Sequence, residues 1–419
     1  MRGSGTRPAR EDANDRRTAT AVREIDLLTA VGPVAAARAR SARWRLTAVC
    51  AAWGLFWGAW SGLIPAVQQR VGVTAGTLGL LLTFVAVGAI PAMALTGRLA
   101  RGREPAALAA GTMAFGVTIA ALAAASSPVL LGLCLVAVGM TSGMLDVCLS
   151  LAIARAERST GARLFQPVHA AFPLLVVVAA PLAGLTRQLG VPLPVLLLIV
   201  GLLVAGVGAL APAGLNLAHP TGGDDRAERA ARHRRRLRWV GIGVGALGAC
   251  MLIMENAVEQ WSALLLEDYR HASPLLASSA PAVYYLALSL GRLAAQAVPR
   301  LRTRGILAFG AVGGGVGIVV AGIAPHAPLG LAAFALTGFA FGPVIPALLS
   351  YAATRDSDGA VVATATTTSY SGFVASPLVV AGLSALATLP LAIAALGTLA
   401  LPLLIVAFAG RFAESRPAG

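Results

Sequence analysis

Lysine is absent from this 419-residue sequence, and all 33 of its basic side chains are arginines. Charged residues of both signs make up only 12%, against about 25% in an ordinary soluble domain. This scarcity of charge excludes a soluble globular protein. The hydrophobic residues, 57% of the chain, fall into many separate runs of roughly 20 residues, each long enough to cross a hydrocarbon core of about 30 Å. The sequence therefore predicts an all-α membrane protein that crosses the bilayer many times.

Residues that carry enzymatic chemistry are also scarce. The four cysteines, Cys50, Cys134, Cys148 and Cys250, lie in apolar runs without a CxxC pair or a metal-ligand spacing. The sequence has no Walker motif, no GxSxG elbow and no HExxH pair. We therefore expect neither enzymatic activity nor a metal or cofactor. Since the sequence has no ATP-binding motif, we expect a proton gradient to supply the energy for any work that the protein does across the membrane. Two alternatives fit less well: a membrane-embedded enzyme would need a catalytic constellation, and a membrane sensor would need a folded output domain.

Twelve apolar runs predict twelve membrane spans. The runs start near Trp44, Leu78, Ala106, Val129, Pro167, Val191, Trp239, Pro274, Gly305, Leu329, Val361 and Leu389. The predicted organisation is a polar, disordered tail (1–43) with a short helix near 35–45, a six-helix bundle (44–213), an arginine-rich linker (214–238), a second six-helix bundle (239–410) and a short tail (411–419).

The arginines predict the orientation in the membrane. With the N-terminus in the cytoplasm, 30 of the 33 arginines fall on the cytoplasmic side and three, Arg70, Arg187 and Arg270, fall outside. We therefore expect a multi-pass protein of the bacterial plasma membrane, with both termini cytoplasmic. Its expected partners are a small-molecule solute and the lipid bilayer, whose anionic headgroups suit the linker arginines better than a nucleic acid does. The chain is expected to act as a monomer.

Three motif pairs indicate an internal repeat. Gly139-x-x-x-Gly143 recurs as Gly338-x-x-x-Gly342, and Trp60-Ser61 recurs as Trp261-Ser262, at offsets of 199 and 201 residues. The motif Gly-Arg-Leu-Ala at residues 97–100 recurs at residues 291–294, an offset of 194. Two similarly oriented halves of this kind are typical of secondary transporters, in which the solute site lies between the halves near mid-membrane.

The chain resembles the major facilitator superfamily in its six-plus-six spans, its long central loop and its paired Gly-Arg-Leu-Ala motifs. Residues 143–147 (GMLDV), 166–169 (QPVH), 255–262 and 369–372 (SYSG) are similar to the fucose-permease-like bacterial branch. The resemblance implies two pseudo-symmetric bundles around a cavity lined by spans 1, 4, 7 and 10 and parts of 5, 8 and 11. Arg101 and Gln296 depart from the superfamily loop motif, which usually has an aspartate there. The branch suggests uptake of a compact hydroxylated solute, whereas the apolar helices suggest export of an amphipathic compound.

Three acids, Asp146, Glu255 and Glu259, are predicted to lie within spans, with no arginine in a span interior to neutralise them. Each is costly there, by roughly 2.5 to 3.5 kcal/mol at a helix centre, so we interpret them as functional. Asp146 is the first candidate for proton coupling; alternatively, it is protonated and bonds to Thr141, Ser142 or Ser150. Glu255 is a candidate for proton transfer or for binding a cationic or hydroxyl-rich solute. Glu259 either binds solute or faces the outer vestibule.

Other side chains are weaker candidates. His169 either relays protons or is an interfacial histidine bonded to the Arg163 carbonyl. Further solute-binding candidates, whose alternative is packing or interfacial anchoring, are Asn256, Trp60, Trp261, Tyr285, Thr367 and Tyr370. Gly97, Arg98, Gly291 and Arg292 are assigned to turns after spans 2 and 8. Gly342, Pro343 and Pro346 predict a break in span 10 that suits a gating joint, because proline removes a helical hydrogen bond.

Overall fold

The computed structural model describes the backbone of residues 8–100, 102–210, 234–298, 302–355 and 360–409, and all of these side chains except those of 8–36 and 234–237. Every element in these ranges is helical, and twelve helices in them are long and apolar enough to cross a membrane. They are α1 (Ala37–Val71, the last part of a helix that begins at Pro8), α2 (Ala75–Leu99), α3 (Glu104–Ala124), α4 (Pro128–Thr160), α5 (Phe165–Gln188), α6 (Leu193–Leu210), α7 (Arg238–Arg270, in a helix that begins at Arg234), α8 (Pro274–Ala297), α9 (Thr303–Ile323), α10 (Ala327–Ala353), α11 (Ala360–Leu386) and α12 (Leu389–Phe408).

Local capping explains where several helices begin and end. Thr74, Ser127 and Ser273 lie just before α2, α4 and α8, and each side chain accepts a hydrogen bond from a backbone N–H of the first turn. Gly161 ends α4 in the left-handed conformation (φ 68°), which glycine adopts without strain. The twelve predicted spans are confirmed. Apart from α1, the largest difference between a predicted and an observed start is three residues, Leu78 against Ala75.

The predicted break in α10 is confirmed. This helix consists of two segments, Ala327–Phe341 and Val344–Ala353, separated by Gly342 and Pro343. Pro346 has no N–H to donate to the carbonyl of Gly342 four residues earlier. That carbonyl instead accepts a hydrogen bond of 3.1 Å from Nε of Arg292, on α8. The break therefore leaves a backbone acceptor that a neighbouring helix satisfies.

The two halves repeat the same helix pairs. In the first half α1 packs on α5, α2 on α4 and α3 on α6; in the second half α7 packs on α11, α8 on α10 and α9 on α12. The GxxxG motifs lie at equivalent contacts, because a Cβ on Gly139 would meet the backbone of Val85 in α2 and one on Gly338 would meet the backbone of Tyr284 in α8. Most of the predicted linker, residues 214–233, lies outside the described residues.

The halves meet at the side of the molecule where α1 and α7 end, which we call the closed end. Here Ser278 Oγ donates to the carbonyl of Gly62 at 3.2 Å, and the backbone N–H of Leu275 donates to Gln188 Oε1 at 3.4 Å. The side where α1 and α7 begin is called the open end. A cavity of about 380 Å³ lies there between α7 and α11 of the second half, lined by Arg238, Ile242, Ala363, Thr364, Thr367 and Thr368. The space between the halves is thus closed on one side of the membrane.

Candidate functional site

Asp146 lies on α4 and is half-buried. Its carboxyl group is close enough to Cys50 on α1 and to Tyr370 on α11 to act on both electrostatically, so it faces the space between the halves. It accepts no hydrogen bond from any described residue. Ser142 instead accepts from Trp53 Nε1 at 2.9 Å, and Thr141 donates to the carbonyl of Ala137 at 2.9 Å. The helix-orienting bonds considered for Asp146 are therefore not made, and its carboxyl group is available to a proton or a solute.

Glu255 and Glu259 occupy successive turns of α7, and each accepts a hydrogen bond from a tyrosine of α8. Tyr284 OH donates to Glu255 Oε2 at 3.4 Å, and Tyr285 OH donates to Glu259 Oε2 at 3.0 Å. The two tyrosine rings contact each other edge to face, with centroids 5.4 Å apart. Glu255 is partly exposed, whereas Glu259 is only 3% exposed. The adjacent Asn256 is also buried, and its Oδ1 has no hydrogen-bond partner.

Arg292 corrects two predictions. It lies within α8 (Pro274–Ala297), not in a turn, and its charge reaches Glu255 and Tyr284. The prediction that no arginine lies in a span interior is therefore wrong. Gly291 and Arg292 were assigned to a turn because their motif resembles the superfamily loop motif, but Gly291 serves helix packing: a Cβ there would collide with the backbone of Phe339 on α10. Gly97 and Arg98 likewise belong to the last turn of α2.

The aromatic candidates fall into two groups. Trp60 and Trp261 are 1% and 0% exposed, and Trp60 Nε1 donates to Gln260 Oε1 at 3.2 Å, which joins α1 to α7 toward the closed end. Tyr370, in contrast, is 46% exposed, stacks on Phe373 with centroids 6.0 Å apart, and interacts electrostatically with both Asp146 and Glu259. Tyr370 and Tyr285 therefore lie near the acids of the candidate site, Asp146, Glu255 and Glu259. Thr367 lies in the cavity of the open end, nearer the beginning of α11.

Among the described residues, no hydrogen bond, ion pair or electrostatic interaction joins His169 to Asp146. It ends the short first segment of α5, Phe165–His169, and its Nδ1 lies 3.1 Å from the carbonyl of Phe165. Its ring also stacks on Phe165, with centroids 4.3 Å apart. The partner is the residue four positions earlier, as helix geometry dictates, and not Arg163 as considered from the sequence.

Two ion pairs were missed by the sequence analysis. Arg187 at the end of α5 binds Glu267 at the end of α7, and the pair crosses from one half to the other at the closed end. Glu104 at the start of α3 binds Arg155 near the end of α4, within the first half. Both acids lie near helix ends and were not among the three acids that the sequence analysis singled out. The available signal was Arg187, one of only three arginines on the sparsely charged side.

Comparison with known proteins agrees with this architecture. The family profile of the Major Facilitator Superfamily matches residues 46–377. The chain belongs to this superfamily. An uncharacterised transporter of the superfamily from Yersinia pestis is 29% identical over 315 residues, which cover 75% of this chain and 80% of the relative. These matches, together with the twelve helices, show that the protein is a membrane transporter with the twelve-helix fold of this superfamily.

Solved transporters share the fold of this superfamily member. The nucleoside transporter NupG superposes with a TM-score of 0.69 at 13% identity, covering 89% of this chain and all (100%) of that one. A bacterial homologue of the human lysosomal transporter Spinster, in an inward-facing and unoccupied conformation, gives 0.68 at 13% identity, covering 90% and 96%. A POT family transporter in complex with a thioalcohol-conjugated peptide gives 0.68 at 12% identity, covering 90% and 97%.

Proposed function

We propose that this transporter moves a small solute by alternating access and couples the movement to protons through Asp146. The observation that carries the proposal is the Asp146 carboxyl group, which lies in a helix of the first half, faces α11 of the second half and has no hydrogen-bond partner among the described residues. Burial favours the protonated form of such a group, whereas access to water favours its ionised form. A rearrangement that changes its exposure would therefore load and release a proton.

The proposed orientation follows from the arginines. The positive-inside rule assigns both termini to the cytoplasm of a bacterial cell, which makes the open end cytoplasmic and the closed end external. In this orientation the contacts of the closed end shut the space between the halves from the outside, as an inward-open state of a transport cycle requires. Opening the closed end and closing the open end would expose Asp146 to the other side. The residues GMLDV (143–147) and QPVH (166–169) support placing the chain in the fucose-permease-like branch.

The decisive experiment compares cells that express the chain with cells that express Asp146→Asn, using untargeted mass spectrometry of cell interiors and media. A compound that changes only with the unaltered chain identifies the solute, and enrichment inside or outside gives the direction of transport. We expect Asp146→Asn to abolish the change and the dependence of transport on external pH. Asp268→Asn, the same chemical change at an exposed acid, is the matched control and should transport normally. Transport by Asp146→Asn with unchanged pH dependence would overturn the proposal.

A further inference from the structure

Glu255 and Glu259 differ in the cations that reach them. Arg292 acts on Glu255, whereas the groups that act on Glu259 are Glu255 itself and Tyr285. Among the described residues, therefore, no cation balances Glu259. A buried carboxylate without a cationic partner is strongly disfavoured, so Glu259 requires either a proton or a cation supplied from outside the protein.

The hydrogen bonds around Glu259 leave acceptors without donors. Its Oε2 accepts from Tyr285, while its Oε1 accepts from no described residue. Asn256, three residues earlier on α7 and 2% exposed, has an Oδ1 without any partner. Residues three apart are neighbours on a helix surface, so the two acceptors lie side by side. The buried acceptor without a partner is Asn256 Oδ1, which is costly to leave unpaired, and a donor bound between it and Glu259 would satisfy both oxygens.

Tyr370 provides an apolar surface beside these acceptors. It is 46% exposed, although it lies within electrostatic reach of Glu259 and Asp146, and its ring stacks on Phe373. An aromatic face next to carboxylates suits a cation with an apolar body, because the ring attracts positive charge and also packs against hydrocarbon. A hydroxylated solute can pack against the ring as well, but it brings no positive charge for the ring or the carboxylates to attract.

We propose that the solute carries a protonated amine, whose ammonium group binds between Glu259 and Asn256 with its apolar body against Tyr370. The proposal rests on the proposed transport function and assigns its substrate class. An ammonium group supplies three donors and a positive charge, whereas a hydroxyl group supplies a donor without charge. Binding replaces a proton: the carboxyl O–H bond of Glu259 breaks, the proton leaves to water, and the ammonium takes its place. The net charge at Glu259 and its bound cation is unchanged by the exchange.

The groups that surround Glu259 are few. They are Glu255 on α7, Tyr284 and Tyr285 on α8, and Tyr370 on α11. Arg292 acts on Glu255 and Tyr284, and Asp146 acts on Tyr370, but neither of them acts on Glu259. α12 has no titratable side chain, and α1 and α10 bring none that acts on Glu259 in the described part of the chain. A proton released on amine binding therefore comes from Glu259, Glu255 or Asp146, and substitutions separate the three.

The test uses the purified full-length chain in lipid nanodiscs, in weakly buffered solution with a pH indicator. The probe is 2-phenylethylamine, and its uncharged counterpart of similar shape is 2-phenylethanol. We expect about one proton to be released per amine bound, because one carboxyl group exchanges its proton for the ammonium, and none to be released by the alcohol. Glu259→Gln should abolish the release and weaken amine binding about tenfold or more, the effect of losing one charge-assisted contact. Asp268→Asn should behave as the unaltered chain.

Each other outcome has a defined meaning. Failure of the unaltered chain to bind the amine, or binding that Glu259→Gln leaves unchanged, would overturn the proposal. So would release that is lost in Asp146→Asn or Glu255→Gln but kept in Glu259→Gln, since the ammonium would then lie elsewhere. If Glu259→Gln does not fold, Glu259→Asp, which retains the charge one methylene shorter, should still release a proton with weaker binding. Failure of the coupling role of Asp146 is distinguishable, because that role is measured by transport and not by proton release.

Discussion

Arg187 on α5 and Glu267 on α7 form a two-point ion pair that joins the two halves at the closed end. Arg187 Nη1 lies 2.9 Å from Glu267 Oε2, and Nη2 lies 2.6 Å from Oε1. The same Nη1 donates to the carbonyl of Gly62 on α1 at 3.1 Å. The two side chains are only 9% and 13% exposed, so the pair is screened little by water or salt. It therefore stabilises the conformation in which this end is shut.

Breaking this pair should open the closed end. Glu267→Gln leaves the Arg187 charge buried without its partner, which costs about 3–5 kcal/mol in a buried pair and applies only to the closed conformation. We expect the distance between spin labels at Leu189 and Leu386, two strongly exposed residues of opposite halves at this end, to shift to longer values. Electron–electron double resonance measures this distance once the four native cysteines are replaced by serine.

The neighbouring acid provides the control for this experiment. Asp268→Asn removes an exposed negative charge that also acts on Arg187 but makes no ion pair with it in the described structure, so it should shift the label distances much less than Glu267→Gln does. Identical distance distributions for Glu267→Gln and the unaltered chain would mean that the pair does not hold the closed end shut.

The buried pair of Glu104 and Arg155 should stabilise the first half. Glu104 Oε1 also accepts from the N–H of Gly102 at 2.9 Å, so this acid secures the α2–α3 loop as well as α4. Glu104→Gln is expected to lower the free energy of unfolding by about 1.5–3 kcal/mol, since it removes the charge-assisted bond to Arg155. Denaturant unfolding monitored by tryptophan fluorescence measures the change. Arg158→Gln, an exposed charge on the same helix, should alter it little.

The fold was accessible from the sequence because its signals are local. A run of apolar residues spans the bilayer whatever its neighbours are, and the adjacent Gly342 and Pro343 both disfavour a continuous helix. The GxxxG pairs at Gly139 and Gly338 were also readable, since close helix packing requires small residues at that spacing. Each of these features depends on a few consecutive residues, and each was confirmed.

The site was less accessible because it depends on contacts between distant helices. Nothing near Arg292 in the sequence indicates that its side chain reaches Glu255 and the Gly342 carbonyl, 37 and 50 residues away. The same holds for Arg187 and Glu267, which are 80 residues apart. Trp60 and Trp261 could equally face solute or fill the interior, and only the packing of α1 against α7 places them in the interior. Which faces of helices meet decides these roles.

The GxxxG contacts predict a sharp difference among glycine substitutions. A Cβ on Gly139 or Gly338 would overlap the backbone of a neighbouring helix, whereas one on Gly97 would have nothing within 4 Å. Gly139→Ala and Gly338→Ala should each lower the free energy of unfolding by about 1–3 kcal/mol, the usual cost of overpacking. Gly97→Ala should raise it by about 0.5–1 kcal/mol, because alanine loses less conformational freedom in a helix. Equal effects at all three positions would contradict the inferred packing.

The last prediction concerns Pro346, which leaves the Gly342 carbonyl free for Arg292. Pro346→Ala restores an N–H that can bond to this carbonyl, and so it should displace the Arg292 guanidinium while stabilising the fold by up to about 3 kcal/mol. Arg292→Gln also removes the guanidinium, but it should destabilise the fold by about 1.5–3 kcal/mol through the lost charge-assisted bond.

Pro346→Ala and Arg292→Gln should change the stability of the fold in opposite directions, so comparing them separates effects on transport from effects on stability. If the guanidinium matters because of its position near Glu255, both variants should slow transport of the solute identified by mass spectrometry and alter its pH profile in the same way, although their stabilities move apart. Pro390→Ala, in the first turn of α12 where a missing N–H has no intrahelical partner, should change neither transport nor pH profile. If transport instead follows stability, so that Pro346→Ala transports as the unaltered chain does, Arg292 acts only as a structural tie between α8 and α10.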